Sequence, residues 1–339
     1  MFSLYSAKNF ARSAVKHSGI KHSTSEIKRS HCYLCSMKQQ LIVIEGPTAS
    51  GKTSLGVELA KQLNTVVISA DSRQFYKEIA IGTAKPTEKE MGGVKHYFVD
   101  SHSIHEPLTA GQFEKQAMEL ITGELSDREQ IILVGGSGMF IDALCIGLDP
   151  IPTSPEIQQQ LRDEQQSKGL NKLAKELQAC DPDYFATVDR YNPSRVLRGL
   201  EVFRLTGKPF SQWRLNKPEP RPFDVKRFVV EHPREQLYER INKRVDLMMK
   251  AGLLKEAQSV HDVKHLAPLQ TVGYKECFDH IEGKSDLETC VEKIKQHTRN
   301  YAKRQVTWFN RHPESVRVPF TTSKRMTTSI LKTLKNSVV

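Results

Sequence analysis

The sequence of this 339-residue chain predicts an α/β fold, in which a parallel β-sheet core is flanked by helices and carries a helical insertion domain. Three apolar runs, at 41–44, 65–70 and 131–134, indicate buried strands, and helical patterns alternate with them as they do in parallel sheets. Two proline-rich breaks, at 150–155 and 217–222, enclose a polar and helical stretch. That stretch is the predicted insertion.

The chain returns to the sheet after the second break. The apolar segment 226–231 predicts another strand, and a long helix is predicted over 235–249, ending at Gly252. The predicted domains are a basic N-terminal extension (1–36), the first part of the core (37–152), the helical insertion (153–216), the second part of the core with basic helices (217–316) and a Ser/Thr/Lys-rich tail (317–339). We expect the tail to be loose.

An eight-residue motif connects the first predicted strand to the first predicted helix. Its residues are Gly46, Pro47, Thr48, Ala49, Ser50, Gly51, Lys52 and Thr53, and they fit the G-x-x-x-x-G-K-[ST] pattern of a P-loop. Backbone N–H groups and a helix N-terminus converge on one anion in this motif. Lys52 adds a mobile positive charge, and the Thr53 hydroxyl can ligate Mg²⁺. The core is therefore predicted to be a P-loop parallel sheet that binds a phosphorylated ligand and Mg²⁺.

Two further segments follow predicted strands. Asp71 comes after the strand at 65–70, and the glycine-rich segment 135–138 comes after the strand at 131–134. Because ligands gather at the carboxyl ends of parallel strands, we expect these segments and the P-loop to line one pocket. An ordinary P-loop hydrolase has an acidic Mg²⁺ ligand where this chain has Gly135 and Gly136. The nearest match to a guanine-reading N-K-x-D motif, at 216–219, lies in a proline-rich break, which argues against a GTPase.

Charge indicates a polyanionic partner. The net charge is +11 with a pI of about 9.3, which favours nucleic acid. A basic helix is predicted over 298–311, where Arg299, Lys303 and Arg304 are expected to contact RNA or pyrophosphate. Tyr301 and Trp308 share another face of that helix, and we expect them in the core rather than against unpaired bases.

The apolar runs, the cysteines and the N-terminal segment indicate where in the cell the protein is located. No run of about 18 apolar residues occurs, so no membrane span or membrane partner is expected. Cys32 and Cys35 form a C-x-x-C pair without further zinc ligands, so free thiols in a reducing, cytoplasmic location are expected. Residues 1–36 are basic like an organellar transit peptide, which would make the location organellar. We favour the alternative that Met37 is the natural start, and expect deletion of 1–36 to preserve activity.

The chain resembles the tRNA dimethylallyltransferases, also called tRNA isopentenyltransferases, over residues 37 to 312. The matching segments are Gly46–Thr53, Asp71-Ser72 with Tyr76, IGTAKP at 81–86, GGSG at 135–138, NPSR at 192–195 with Arg198, LEV at 200–202, TGK at 206–208, VGYKE at 272–276 and 298–309. IGTAKP and GYKE are far more specific than a P-loop alone. The zinc-finger extension of eukaryotic relatives has no counterpart, so the resemblance is to the bacterial form.

The resemblance implies a reaction. A dimethylallyl group would pass from dimethylallyl diphosphate, held by the P-loop with Mg²⁺, to N6 of adenine 37 beside the tRNA anticodon. Asp71 is the expected general base, with Lys52 and Ser137 as the other catalytic residues. A role for Asp71 as a Mg²⁺ ligand is the alternative. We expect a monomer.

The same resemblance implies how tRNA binds. Adenine 37 would flip out of the anticodon stem-loop into a cleft between core and insertion. The expected tRNA contacts are Asp71, Ser72, Arg73, Gln74, Ser137, Gln158, Ser194, Arg195, Val196, Leu197 and Arg198, together with Arg299, Lys303 and Arg304 of the basic helix. The family commonly has an arginine where this chain has Gln158, and Arg162 one turn later can substitute for it.

Three other functions remain open on sequence alone. Prenylation of free adenine nucleotides would need neither the insertion nor the basic helix. A P-loop small-molecule kinase would transfer phosphate without a prenyl donor. A non-catalytic RNA-binding protein would bind tRNA in a salt-dependent manner without modifying it.

Overall fold

The core is a single parallel sheet. The computed structural model describes residues 39–215, 217 and 219–336, and the predictions for residues 1–36, with Cys32 and Cys35, lie outside them. The strands are β1 (Gln39–Glu45), β2 (Val67–Ser69), β3 (His96–Tyr97), β4 (Gln130–Gly135), β5 (Phe223–Glu231) and β6 (Val316–Pro319). They pair in parallel in the order β3-β2-β4-β1-β5-β6. The predicted α/β fold is confirmed, with β5 directly beside β1.

Helices surround this sheet. In chain order they are α1 (Lys52–Gln62), α2 (Glu88–Met91), α3 (Ala110–Thr122), α4 (Gly138–Ile146), α5 (Pro155–Lys168), α6 (Leu170–Cys180), α7 (Pro182–Thr187), α8 (Pro193–Thr206), α9 (Arg234–Ala251), α10 (Leu253–Ser259), α11 (Tyr274–Ile281), α12 (Leu287–Phe309) and α13 (Ser323–Asn336). The long predicted helix corresponds to α9, which ends at Gly252 in the left-handed conformation. Within the described residues, none of these helices has the length and apolarity that crossing a bilayer requires.

Apolar side chains cover both faces of the sheet. Successive side chains of a strand point to opposite faces, so Leu41 and Val43 of β1 enter one layer and Ile42 and Ile44 the other. The first layer holds α3, α4, α10, α11 and α12, and the second holds α1 and α13. Each fully buried aliphatic side chain of this kind stabilises the fold by about 1.5–3 kcal/mol. The loops at the carboxyl ends of β1, β2 and β4 are thereby held on a rigid base.

The C-terminal segment is ordered, so the expectation of a loose tail is wrong for residues 316–336. Strand β6 pairs with the outer edge of β5, and α13 packs against α1. Its buried residues Met326, Ile330 and Leu334 recur every fourth position, which places them on one helix face. Those apolar side chains are enough to pack one face of the helix against the core, although most of its residues are Ser, Thr, Lys or Arg.

The insertion has an apolar cluster of its own. Helices α5 to α8 contribute to it Leu161, Leu177, Val196 and Leu200, among others. The stretch predicted to be helical begins with α5 and α6, which are separate helices because Gly169 between them has a φ of 77°, in the left-handed region. Strand β3 in the core is short as well, because the chain enters the left-handed region at Phe98.

Candidate active site

The P-loop has the geometry of an anion cradle. Gly46–Thr53 joins β1 to α1, and the loop residues Ala49 and Gly51 have φ angles of 63° and 85°. Such left-handed residues next to right-handed ones turn successive backbone N–H groups toward one point, and α1 begins there with its positive end. The loop therefore offers backbone donors and a helix N-terminus to a single anion.

Lys52 lies buried within this loop. Its side chain is in contact with the carbonyl oxygen of Pro47, 3.3 Å from Nζ. Burial lowers the pKa of Lys52 to about 8; the carboxylate of Asp71 acts against this shift, and the nearby Arg244 acts with it. An arriving anion would supply the counter-charge that this ammonium lacks.

Two arginines of α9 reach the P-loop from the side. Arg240 Nε donates to the Ala49 carbonyl oxygen at 2.8 Å, and Arg244 Nη1 donates to the Thr48 hydroxyl at 3.3 Å. Their four-residue spacing places them on one face of the helix. The sequence indicated only that α9 is basic. The structure adds Arg240 and Arg244 to the phosphate side of the site.

Gln305 was missed by the sequence analysis. This buried side chain of α12 accepts a hydrogen bond from the Thr48 backbone nitrogen at 2.8 Å and donates one to the Gly136 carbonyl oxygen at 2.8 Å. It therefore ties the P-loop to the segment after β4. A side chain at Gly136 would lie 2.5 Å from Gln305 Nε2, which explains why glycine occupies that position. An uncharged glutamine inside a basic stretch carries no signal of such a role.

Asp71 is the first residue of a polar turn that follows β2; this turn, residues 71–74, is called the elbow. The Ser72 backbone nitrogen donates to Ser137 Oγ at 2.9 Å, and Ser137 Oγ donates to Ser72 Oγ at 3.0 Å. Gln74 closes the elbow, with its backbone nitrogen 3.0 Å from the Asp71 carbonyl oxygen. Ser137 is thus placed to hold the elbow, and the predicted proximity of Asp71, Ser137 and the P-loop is what the structure shows.

Two adjoining spaces meet at this elbow. The P-loop pocket, of about 330 Å³, is lined by residues 48–54 with Asp71, Arg240 and Arg244. The wide cavity, of about 700 Å³, extends from the elbow to α12 and reaches Arg195 of the insertion. Residues lining both spaces are Thr48, Asp71, Thr83, Ala84 and Arg244. Asp71 therefore faces both a phosphate-binding space and a much larger one.

The expectation that Tyr301 and Trp308 belong to the core holds only in part, because both are half-buried and both also line the wide cavity. Trp308 packs against the core, and its Nε1 donates to Asp142 Oδ2 at 2.8 Å. Arg311 lies over its ring, 4.6 Å from the centroid. Burial raises the pKa of Tyr301 to about 12, so its hydroxyl stays protonated. Helical spacing predicted that the two rings share a face, but not that the face borders a cavity.

A buried network of ion pairs holds Trp308 in place at the edge of the wide cavity. Asp142 of α4 also accepts from Arg227 Nη2 at 2.6 Å, and Arg227 Nη1 lies 3.7 Å from Glu45 Oε2. Burial raises the pKa of Glu45 to about 7, although the Arg227 guanidinium counteracts the rise. The network connects β1 and β5 to Trp308 beneath the cavity.

The structure separates the predicted tRNA contacts into groups. Arg73, Arg195, Lys303 and Arg304 line the wide cavity with Asp71, Ser72 and Ser137, whereas Ser194 is exposed at the start of α8 and Leu197 packs at the edge of the insertion core. Arg299 lies elsewhere on α12, where its Nη1 donates to Asn242 Oδ1 at 2.7 Å. Val196 is fully buried in the insertion core, so its side chain is not accessible to RNA.

Glu201 engages two of the predicted contacts. This buried carboxylate forms an ion pair with Arg198 at 2.7 Å and accepts from Gln158 Nε2 at 3.0 Å. Gln74 is similarly occupied, since its Nε2 donates to the carbonyl oxygens of Thr83 and Ala84. These side chains hold neighbouring segments of the cleft in place. Gln158 and Arg198 would therefore contact RNA while they remain bonded to Glu201.

The oxygen donors for a metal fit Mg²⁺ better than a transition metal. Thr53 and Asp71 line the same P-loop pocket. Among residues 39–215, 217 and 219–336, no group of three or more His, Cys, Asp or Glu side chains is arranged to hold a metal ion. Mg²⁺ is ordinarily bound by one or two protein oxygens together with substrate phosphates and water, so this donor set suits it.

Comparisons with known proteins point to one family. The family model described as IPP transferase matches residues 74–312. The tRNA dimethylallyltransferase of Cytophaga hutchinsonii is 45% identical over 82% of this chain and 92% of its own length. The tRNA dimethylallyltransferase 1 of Bacteroides thetaiotaomicron is 44% identical over 81% and 89%.

Solved structures agree. The full-length tRNA isopentenylpyrophosphate transferase of Bacillus halodurans is 34% identical, with a TM-score of 0.65 over 88% of this chain and 98% of that one. A eukaryotic dimethylallyltransferase acting on tRNA is 27% identical, with a TM-score of 0.70 over 83% and 74%. The resemblance predicted from the motifs is confirmed. The chain belongs to the IPP transferase family, together with the tRNA dimethylallyltransferases.

Proposed function

We infer that this protein transfers a dimethylallyl group to tRNA, and we propose that the acceptor atom is N6 of adenine 37 and that diphosphate is released. The observation that carries the proposal is the junction of the P-loop pocket with the wide cavity at Asp71. A prenyl diphosphate has a charged end and an apolar end, and the two spaces match those ends. A phosphoryl donor would need only the first.

The leaving group explains the charge of the P-loop pocket. When the bond between the allylic carbon and the diphosphate oxygen breaks, its electron pair stays on that oxygen, and negative charge develops there. Backbone donors of the loop, the buried Lys52 and the nearby Arg244 are positioned to stabilise that charge. Loss of one such preorganised donor typically costs about 10²–10³ in rate.

The acceptor explains the position of Asp71. The N6 lone pair attacks the allylic carbon, forming the C–N bond, and one N6 proton must then leave. We assign Asp71 as the group that orients N6–H and accepts the proton, because it borders both spaces. A general base of this kind contributes about 10²–10⁴ in rate.

Mg²⁺ is the proposed cofactor, with the Thr53 hydroxyl as its protein ligand and Asp71 as an alternative one. Bound there, the ion would neutralise charge on the diphosphate oxygens. The protein residues supply what the ion does not, namely the orientation of both substrates and the removal of the proton.

The wide cavity fits a flipped base and the adjoining nucleotides. An adenine stacked in an anticodon loop cannot reach Asp71 without leaving the stack. Tyr301 and Trp308 offer aromatic surface inside the cavity, and Arg195, Lys303 and Arg304 offer positive charge along it. The aromatic surface suits unpaired bases or the isoprenoid, and the cations suit the phosphodiester backbone.

The test is incubation of the protein with dimethylallyl diphosphate, Mg²⁺ and unmodified tRNA, followed by mass analysis of the nucleosides. We expect adenosine 37 to gain C₅H₈ and diphosphate to appear in equal amount. Parallel reactions replace tRNA with AMP or replace the prenyl donor with ATP. Modification of AMP but not of tRNA, phosphoryl transfer from ATP, or tRNA binding without any mass gain would each contradict the proposal.

A further inference from the structure

Glu256 of α10 makes an unusual set of contacts close to the active site. Its Oε2 accepts hydrogen bonds from the backbone nitrogens of Ala80 and Ile81, both at 2.8 Å, and its Oε1 accepts from the backbone nitrogen of Gly82 at 2.8 Å. The hydroxyl of Tyr274 donates to the same Oε1 at 2.5 Å. Three consecutive N–H groups that converge in this way form an anion nest, and here a carboxylate of the same chain fills it.

The nest consists of Ala80 and the first two residues of the IGTAKP motif, Ile81 and Gly82, and Tyr274 belongs to the GYKE motif. The two motifs are far apart in the sequence, and Glu256 joins them. Gly82 and Tyr274 are closely packed at this junction, because a side chain at Gly82 would lie 2.6 Å from the Tyr274 ring. Tyr274 is fully buried, and burial together with the bond to Glu256 raises the pKa of its hydroxyl, which therefore remains a donor.

The turn that Glu256 holds connects directly to the elbow of Asp71. The carbonyl oxygens of Thr83 and Ala84 accept from Gln74 Nε2 at 3.3 and 3.1 Å, and Gln74 follows Asp71 in the elbow. Thr83 and Ala84 also line both the P-loop pocket and the wide cavity. The turn is thus held on its N–H side by Glu256, and on its carbonyl side it holds Gln74.

We propose that Glu256 is a positioning residue for prenyl transfer, which fixes the turn 80–84 and through Gln74 sets the position of Asp71. Glu256 itself does not line either space. The proposal rests on the proposed function, because its kinetic consequence requires Asp71 to act on the acceptor. The hydrogen-bond geometry of the turn does not depend on that function and can be tested separately.

Two substitutions at this position distinguish acceptor chemistry from volume. Glu256→Gln keeps the volume but replaces one acceptor oxygen by an NH₂ group, which then opposes a backbone donor. Glu256→Asp keeps both acceptor oxygens on a shorter stem. A residue that only fills space would tolerate glutamine better than aspartate, whereas the nest predicts the reverse. Glu119→Gln, at an exposed position of α3, is the matched control.

The experiment measures steady-state kinetics and amide hydrogen exchange for the three variants and the unsubstituted protein. We expect Glu256→Gln to lower kcat about 10–100-fold, as small misplacements of reacting groups do, with the KM for dimethylallyl diphosphate nearly unchanged. The kcat of Glu256→Asp should lie between those of Glu256→Gln and the unsubstituted protein, and the kcat of Glu119→Gln should equal that of the unsubstituted protein. Exchange at residues 80–82 should accelerate in Glu256→Gln, while exchange over 46–53 stays the same.

Three results would overturn the inference: an unchanged kcat in Glu256→Gln, glutamine better tolerated than aspartate, or exchange that accelerates across the whole core. If Glu256→Gln does not fold, Tyr274→Phe removes one hydrogen-bond donor to Glu256 and should give a smaller loss of kcat in the same direction. An inactive unsubstituted protein with local exchange behaving as described would contradict the proposed function but not the nest.

Discussion

The P-loop pocket and the wide cavity are lined by different parts of the chain. The pocket is lined by the contiguous segment 48–54, which includes Lys52, and by residues of the neighbouring strands and loops, with Arg240 and Arg244 at its side. The cavity is lined by residues from several separate loops, α4, α9, α12 and the insertion. Backbone donors suit a diphosphate, which presents many equivalent oxygens, whereas a base and an isoprenoid are distinguished by shape. The difference indicates that charge stabilisation and acceptor recognition can be changed independently, with Asp71 at their boundary.

Asp71→Asn should have the largest effect because it acts at that boundary. We expect kcat to fall about 10²–10⁴-fold, since the amide cannot accept the N6 proton. Binding of diphosphate and of tRNA should remain nearly unchanged, as measured by titration of each ligand. The matched control is Asp127→Asn at an exposed turn. If the variant instead lost tRNA affinity and kept normal turnover, Asp71 would be a tRNA-binding residue and not the general base.

Lys52→Ala should affect only the P-loop pocket. We expect about a 10²–10³-fold loss of kcat/KM for dimethylallyl diphosphate, because a donor to the leaving group is removed. Binding of inorganic diphosphate should weaken, while tRNA binding should not change. Lys61→Ala, at the exposed end of the same helix, is the control. If the variant lost tRNA affinity to the same extent, the two spaces would not be independent.

The pH dependence of kcat/KM tests the P-loop pocket separately, because the pKa of Lys52 lies in a pH range where the enzyme can be assayed. Its pKa in the free protein is about 8, so kcat/KM should be level below that pH and fall toward tenfold per unit above it as the charge is lost. Lys52→Arg, which stays charged, should remove this decline. Unchanged decline in the arginine variant would assign it to another group.

The same titration has a consequence for stability. The folded-state pKa of Lys52 lies below its unfolded value of 10.5, so the folded protein without ligand is destabilised while this ammonium is charged. That destabilisation is complete below about pH 8 and disappears between pH 8 and the unfolded value. Lys52→Ala should therefore raise the melting temperature at pH 7 more than at pH 10.

The two spaces also differ in how far the sequence predicts them. The P-loop could be predicted because its function depends on a contiguous strand, turn and helix, which a local pattern specifies. The cavity could not, because periodicity gives the shared face of Tyr301 and Trp308 but not what that face borders. Gln305 and Glu256 carry no local signal, since their partners lie far away in the sequence. Helix α13 was missed because its apolar face consists of a few residues within a polar composition.

The smallest expected effect separates Arg304 from Arg299. Both belong to the basic face predicted for α12, but Arg304 lines the wide cavity and Arg299 donates to Asn242. We expect Arg304→Ala to weaken tRNA binding severalfold and to reduce the slope of log K against log salt by about 0.7, the contribution of one single-strand phosphate contact. Arg299→Ala should leave the slope unchanged. Fluorescence anisotropy over a KCl series measures both, and equal slopes in the two variants would mean that tRNA extends beyond the cavity along the whole basic face.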